Sequence, residues 1–178
     1  MTNRLARLSS VTVALAAVLL ATGCDRSEPE SPIVNQGGPV IDIAQLPDIE
    51  QTTTQMVDLM ERVSREVTRL VPAAEPWEWA RDQQGFSCKQ QSTGREGVKR
   101  YLRSLTSQHA LTDAEWELVF PAVKQLASEA GLTEIAAPQN QPGNHDVQIT
   151  SDDGRTLIFG SRKATLISAD IGCRRSAG

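Results

Sequence analysis

The chain has 178 residues, 39% hydrophobic and 22% charged, with 18 basic against 22 acidic side chains and a formal charge of −4. That length buries one modest core and makes one domain. The acidic balance argues against nucleic-acid binding, which rests on neutralising phosphates with Lys and Arg.

At the N-terminus, Arg4 and Arg7 precede an apolar run from Val11 to Ala21 broken only by Thr12. About a dozen residues give roughly 17 Å of helix against a hydrocarbon core of about 30 Å, too short to span comfortably. Basic, then apolar, then small is the order of a secretory signal peptide, here residues 1–23. The segment Ala21-Thr22-Gly23-Cys24 resembles the lipobox of bacterial lipoproteins, with Ala21 where leucine is commoner. This resemblance implies that Cys24 takes a diacylglycerol on its sulfur and becomes the mature N-terminus. The protein is then lipid-anchored on the extracytoplasmic face of the cell membrane. Removing residues 1–23 leaves sixteen basic against 22 acidic side chains, so the mature chain carries −6. With Cys24 accounted for, Cys88 and Cys173 are left to pair as a disulfide in an oxidising, exported setting. Two unrelated buried thiols are the alternative.

Residues 24–46 read as the lipidated N-terminus and a tether, rich in Pro and Gly up to Pro39. Val40, Ile41 and Ile43 are apolar enough for its last part to dock on the domain instead. Residues 47–175 read as a single domain and 176–178 as a tail. A first helix is expected over Asp48 to Leu70, where Met56, Leu59, Met60, Val63, Val67 and Leu70 recur at three- and four-residue spacing. Pro72 ends it. Trp77-Glu78-Trp79 alternates as a strand, with both indoles on one face. Gly85 to Cys88 begins a second strand, and Val98 to Thr106 a third. Thr112-Asp113-Ala114-Glu115 is a capping box opening a second helix, whose Trp116, Val119, Val123, Leu126 and Ala130 share a face. Gly131 suits its C-terminal cap. Pro121 inside that pattern is expected to kink the helix or start a second segment. Leu132 to Ile135 reads as a strand, Pro138 to Asn144 as a polar loop, and Val147 to Thr150 as another strand. Asp153-Gly154 makes a hairpin turn, Arg155 to Phe159 returns, and Ala164 to Ile171 forms a last antiparallel strand. The sum is a two-layer α+β domain, two helices on a mostly antiparallel sheet.

Several features in this order resemble one family: lipobox and tether, a helix running into the Trp77 strand, Cys88 at midchain, Gln141-Pro142-Gly143-Asn144-His145-Asp146-Val147, and a closing Cys173-Arg174. They resemble the LppA/LppV-type lipoproteins of mycobacteria and related actinobacteria over roughly residues 50–175. The resemblance implies an α+β envelope domain and supplies no catalytic residues.

His145-Asp146 is the first place to look for catalysis, since an imidazole beside a carboxylate serves as a base or ligand. Adjacent residues of an extended segment point oppositely, however, and Pro-Gly-Asn with Asp is ordinary turn chemistry. The other histidine, His109, falls in a separate loop. Asp152-Asp153-Gly154 lacks the spacing of a calcium loop. Trp77 and Trp79 are candidate ligand-facing residues, a stacking platform for a sugar or apolar ligand, against the alternative of core packing. The residues thus point to a non-enzymatic binding or interaction module without cofactor or metal. Its partners would be the membrane, through Cys24, and an envelope protein or a small envelope molecule. Two alternatives remain: a carrier or sensor of an apolar or glycan ligand, and a hydrolase. The hydrolase needs His145 to meet Ser107, Ser151 or Ser161 in space.

Overall fold

The structure, a computed structural model, describes residues 41–177. The predicted signal peptide, Cys24 and most of the predicted tether lie outside the described residues. The end of the tether docks: Ile43, in a short 3-10 turn Ile43–Gln45, is buried. The side chain of Gln90 holds it in place, accepting from the Ile43 N–H at 3.1 Å and donating to the Ile41 carbonyl at 2.8 Å.

Helix α1 (Ile49–Leu70) starts at a capping box, Asp48 with Gln51, and buries Met56, Leu59, Met60, Val63 and Val67 along one stripe. Its first turn is pinned twice. Arg100 grips Glu50 with two hydrogen bonds of 2.9 and 2.7 Å, and the Ile49 N–H donates to the Arg175 carbonyl. Helix α2 (Asp113–Glu129) opens on the Thr112/Glu115 capping box and buries Trp116, Val119, Val123 and Ala127. Pro121 does not divide it. Pro121 and Glu117, whose carbonyl loses its N–H partner, both lie on the exposed side, open to solvent, so the missing bond leaves no buried orphan.

Eight strands, all paired antiparallel, form one sheet: β1 (Trp77–Ala80), β2 (Gln84–Lys89), β3 (Glu96–Tyr101), β4 (Ser104–Ser107), β5 (Glu134–Gln141), β6 (Asn144–Thr150), β7 (Arg155–Ser161) and β8 (Thr165–Arg174). The main path runs β1-β4-β8-β7-β6-β5. Alternation on β6, β7 and β8 turns Val147, Ile149, Leu157, Phe159, Ile167, Ala169 and Ile171 into one core with the helical stripes. The two-layer α+β reading therefore holds, with one disulfide, Cys88–Cys173.

Three sequence readings change. The strand expected over Val98 to Thr106 is two strands that share one edge of β8, β3 along its C-terminal part and β4 along its N-terminal part. Buried Leu102 bridges them, donating its N–H to Ala169. A bulge in β8 at Gly172 and Cys173, which together face Lys99, shifts the β3 register. The strand expected from Leu132 begins at Glu134, leaving Leu132 buried ahead of it. The polar loop expected over Pro138 to Asn144 belongs instead to a hairpin, β5 continuing to Gln141. Every residue of β5 is exposed, so it carries no apolar alternation, and its pairing with β6 rests on backbone hydrogen bonds. A register shift between Ala136 and Gln139 accommodates Pro138, which has no N–H to donate.

The disulfide joins β2 to β8 past the intervening β3. Gly97, the cross-strand partner of Cys88, makes room for it. A Cβ there would lie 2.3 Å from the Arg174 carbonyl oxygen and 3.1 Å from Cys173 Sγ.

Candidate functional site

The first turn of α2 faces the tip of the β5–β6 hairpin, and the two are locked together by one carboxylate. Asp113 Oδ1 accepts from the Gly143 N–H at 2.7 Å and lies 3.0 Å from His145 Nε2. The hairpin reaches it because Pro142-Gly143 forms a tight turn with Gly143 at φ 69°, a left-handed conformation that suits glycine. His145 Nδ1 lies 2.9 Å from Asn140 Oδ1 on the neighbouring strand, so both ring nitrogens are engaged. The imidazole is 8% exposed and stacks on Trp116, centroids 4.4 Å apart and planes 8° apart. Trp116 also stacks with Phe120 at 5.2 Å and Phe159 at 4.9 Å. Aromatic contact thus runs from the core to the surface.

Beside this stack lies an open groove of about 650 Å³. Phe120, Pro121 and Pro142 supply apolar surface, with the buried Trp116 behind them; Asp113, Glu117, Asn140, Gln141 and His145 supply hydrogen-bonding groups. No Lys or Arg lines it. Smaller or more polar hollows lie at Arg62 and Arg155, and beside the disulfide at Lys89 and Glu96.

The hydrogen bonds from Gly143, first, and from His145 hold the Asp113 carboxyl below its ordinary value of 3.8. A depressed carboxyl stabilises the fold fully above its unfolded value, and that stability is lost as pH falls through the folded one. Acid should therefore open the latch. Asp113→Ala should do so at neutral pH, and Gly143 amide exchange should speed up several-fold in hydrogen-exchange NMR while α1 amides stay protected. The second histidine converges on the same helix end: His109 Nε2 is 3.2 Å from Glu115 Oε2. Both acids sit in the first turn, where a helix dipole favours negative charge.

The hydrolase reading needed a serine at His145. Ser161 is its cross-strand neighbour, but the Ser161 hydroxyl accepts from the Leu111 N–H at 2.8 Å. Ser107 accepts from the His109 N–H, and Ser151 donates to Asp153 and accepts from the Arg155 N–H. None of the three is hydrogen-bonded to His145. Among the described residues no three His, Cys, Asp or Glu side chains group as metal ligands, and no helix is long and apolar enough to cross a membrane.

Trp77 and Trp79 lie elsewhere, on β1 at one end of the main strand path, half-buried against the core cluster. Trp77 donates its indole N–H to Thr68 at 3.0 Å, and the Arg103 guanidinium sits 5.6 Å from the centre of the Trp79 ring. Neither lines the groove. The residues that do come from chain segments some 25 positions apart. Sequence reading singled out His145 and Trp116 but had no local signal to join them to Asp113.

Residues 41–177 match the LppA family, described as a lipoprotein confined to pathogenic Mycobacterium. This chain belongs to the LppA family. A crystal structure of the lipoprotein LppA from Mycobacterium tuberculosis is similar at 11% identity and a TM-score of 0.60, covering 73% of this chain and 79% of that one. A DUF4853-family protein from Actinomyces odontolyticus is similar at 12% identity and a TM-score of 0.54, covering 79% and 76%. At such identities the two show a shared fold. No curated protein matches the chain. The family is one of lipoproteins, and neither it nor the two similar structures carries a name that points to catalysis.

Proposed function

We propose that this LppA-family protein is a non-enzymatic binding module, held on the extracytoplasmic face of the cell membrane by a diacylglycerol on Cys24. The groove between α2 and the β5–β6 hairpin is its ligand site. The observation that carries the binding role is the groove itself, where the outer end of an aromatic stack, Phe120, meets two prolines and a rim of hydrogen-bonding groups. A concave surface with an apolar wall and a few convergent polar groups is the usual form of a small-molecule site. The engagement of both His145 nitrogens by Asn140 and Asp113 supports a structural imidazole over a general base. Membership of a lipoprotein family and the residues around Cys24 support the anchor. Two acyl chains hold a protein on a bilayer stably, where one alone does so marginally.

One preparation tests both parts. The full chain, expressed in an actinobacterial host with labelled palmitate, should carry label and enter the detergent-rich phase on phase separation; Cys24→Ala should abolish both. Native mass spectrometry of the wild-type protein, taken gently from that envelope, should show a bound small molecule that is lost in Phe120→Ala. An unlabelled, aqueous wild type would overturn the anchor. An adduct indifferent to Phe120 would move the site away from the groove.

A further inference from the structure

We infer that the groove binds a neutral saccharide, an inference that rests on reading the groove as a ligand site. The chemistry of its two sides decides among ligand classes. Phe120, Pro121 and Pro142 give it an apolar wall backed by the buried Trp116, while Asp113, Glu117, Asn140 and Gln141 give it carboxylates and planar amides. A pyranose ring has the matching division, a face of C–H groups and a rim of hydroxyls that each donate and accept.

Other classes fit less well. A phosphate, sulfate or fatty-acid carboxylate would face two carboxylates, while the Lys124 ammonium sits over the Phe120 ring, 5.1 Å from its centre, and does not line the groove. A bare acyl chain would strip water from the polar side chains and return no hydrogen bond, at about 1–3 kcal/mol for each buried group left unpaired. Hydroxyls answer that demand, because a carboxylate accepts from them and an amide both donates and accepts. One carboxylate is already oriented: Asp113 commits Oδ1 to Gly143 and His145. The volume of about 650 Å³ lies within the range of about 300–1,000 Å³ usual for small-ligand sites.

The three tryptophans provide the test, since Trp116 belongs to the groove and Trp77 and Trp79 do not. The full chain, labelled with ¹⁵N at its indoles and held in zwitterionic micelles, is titrated with maltotriose and with tri-N-acetylchitotriose. Each probe goes to about 20 mM, enough to reveal a millimolar complex. The expected result is a saturable shift of the Trp116 indole signal with at least one saccharide, while the other two indoles stay fixed. Glu117→Ala with Gln141→Ala, both exposed positions, should weaken that binding about tenfold or more. The fixed Trp77 and Trp79 signals of this variant report that it is folded. Pentalysine and decanoate run as parallel probes. If either moves Trp116 and neither saccharide does, the groove is a site and the saccharide inference fails. Saccharide shifts at Trp77 or Trp79 instead place the sugar on β1 and overturn it. No shift at any indole with any probe overturns both this inference and the groove.

Discussion

Asp153→Ala is expected to lower the melting temperature by about 10–20 °C, measured by circular dichroism, the largest effect of any single substitution in the turns. Asp153 sits in the β6–β7 turn and collects three partners: the Ser151 hydroxyl, Arg155 Nε at 2.9 and 3.0 Å, and Arg174 Nη2 at 3.1 Å. Arg174 is 1% exposed, and its Nε and Nη2 have no well-aligned hydrogen bond, so the carboxylate's charge is what balances it. Truncating that carboxylate strands a buried guanidinium, which costs about 3–5 kcal/mol. In a domain of this size each kcal/mol moves the midpoint by about 3–5 °C. Burial alone would raise the Asp153 carboxyl, but hydrogen bonds from Ser151 and Arg155 and the charges of Arg155 and Arg174 outweigh it. The net position is below 3.8. Its contribution is therefore complete above 3.8 and is lost as pH falls through the lower folded value, so wild type and variant should converge in acid. Adding Arg174→Met to Asp153→Ala should recover much of the loss at neutral pH, since the stranded charge goes with it. If the single variant melts within 2–3 °C of wild type, about the effect of a surface change, the carboxylate does not balance Arg174.

Replacing Cys88 and Cys173 together by Ser should cost nearly as much. The bridge spans 85 residues. Cross-linking so long a loop removes unfolded-state entropy worth about 4.6 kcal/mol by the chain-entropy relation, against about 2–4 kcal/mol commonly found. A fall in Tm of about 10 °C or more is expected, and the wild-type protein treated with reductant should move to the same midpoint. Mass measurement of the untreated protein should find no alkylatable thiol at either position. Two free thiols there would remove the staple from the account.

The helices were legible in the sequence because each carries its own periodic stripe, and the second also its Thr112/Glu115 capping box; the Asp48/Gln51 box that opens α1 came only with the structure. The strands β6 to β8 were legible for the same kind of reason, alternating Val147/Ile149, Leu157/Phe159 and Ile167/Ala169/Ile171 toward one core. The edge of the sheet was not. In β5, Gln139, Asn140 and Gln141 bury nothing, so the pattern that marks a half-buried strand never arises and the segment reads as loop. The break between β3 and β4 is set by the twist and bulge of β8, some 70 residues further on, which no local window contains. The groove was least legible. Asp113 reads as one more acid in a first helical turn, and its pairing with His145 across 32 positions exists only once the hairpin has folded back. For Trp77 and Trp79 the sequence left a binding platform and core packing both open, because alternation puts two indoles on one face in either case; the structure packs both against the core cluster.

β8 gives the chain a particular order of assembly. It is the last of the described strands in chain order, yet β3, β4 and β7 all pair with it and Cys173 lies on it. The three hairpins β2–β3, β5–β6 and β6–β7 close locally, but the two halves of the sheet have no seam until residues 165–174 arrive. Folding of the whole must then be a late, single closing event dominated by distant contacts, and slow for a domain of this size. The same logic makes the C-terminus its weak point. Cutting off the last fourteen residues, 165–178, would remove the line along which the two halves join, while the same number cut from the N-terminus would leave residues 41–177 untouched.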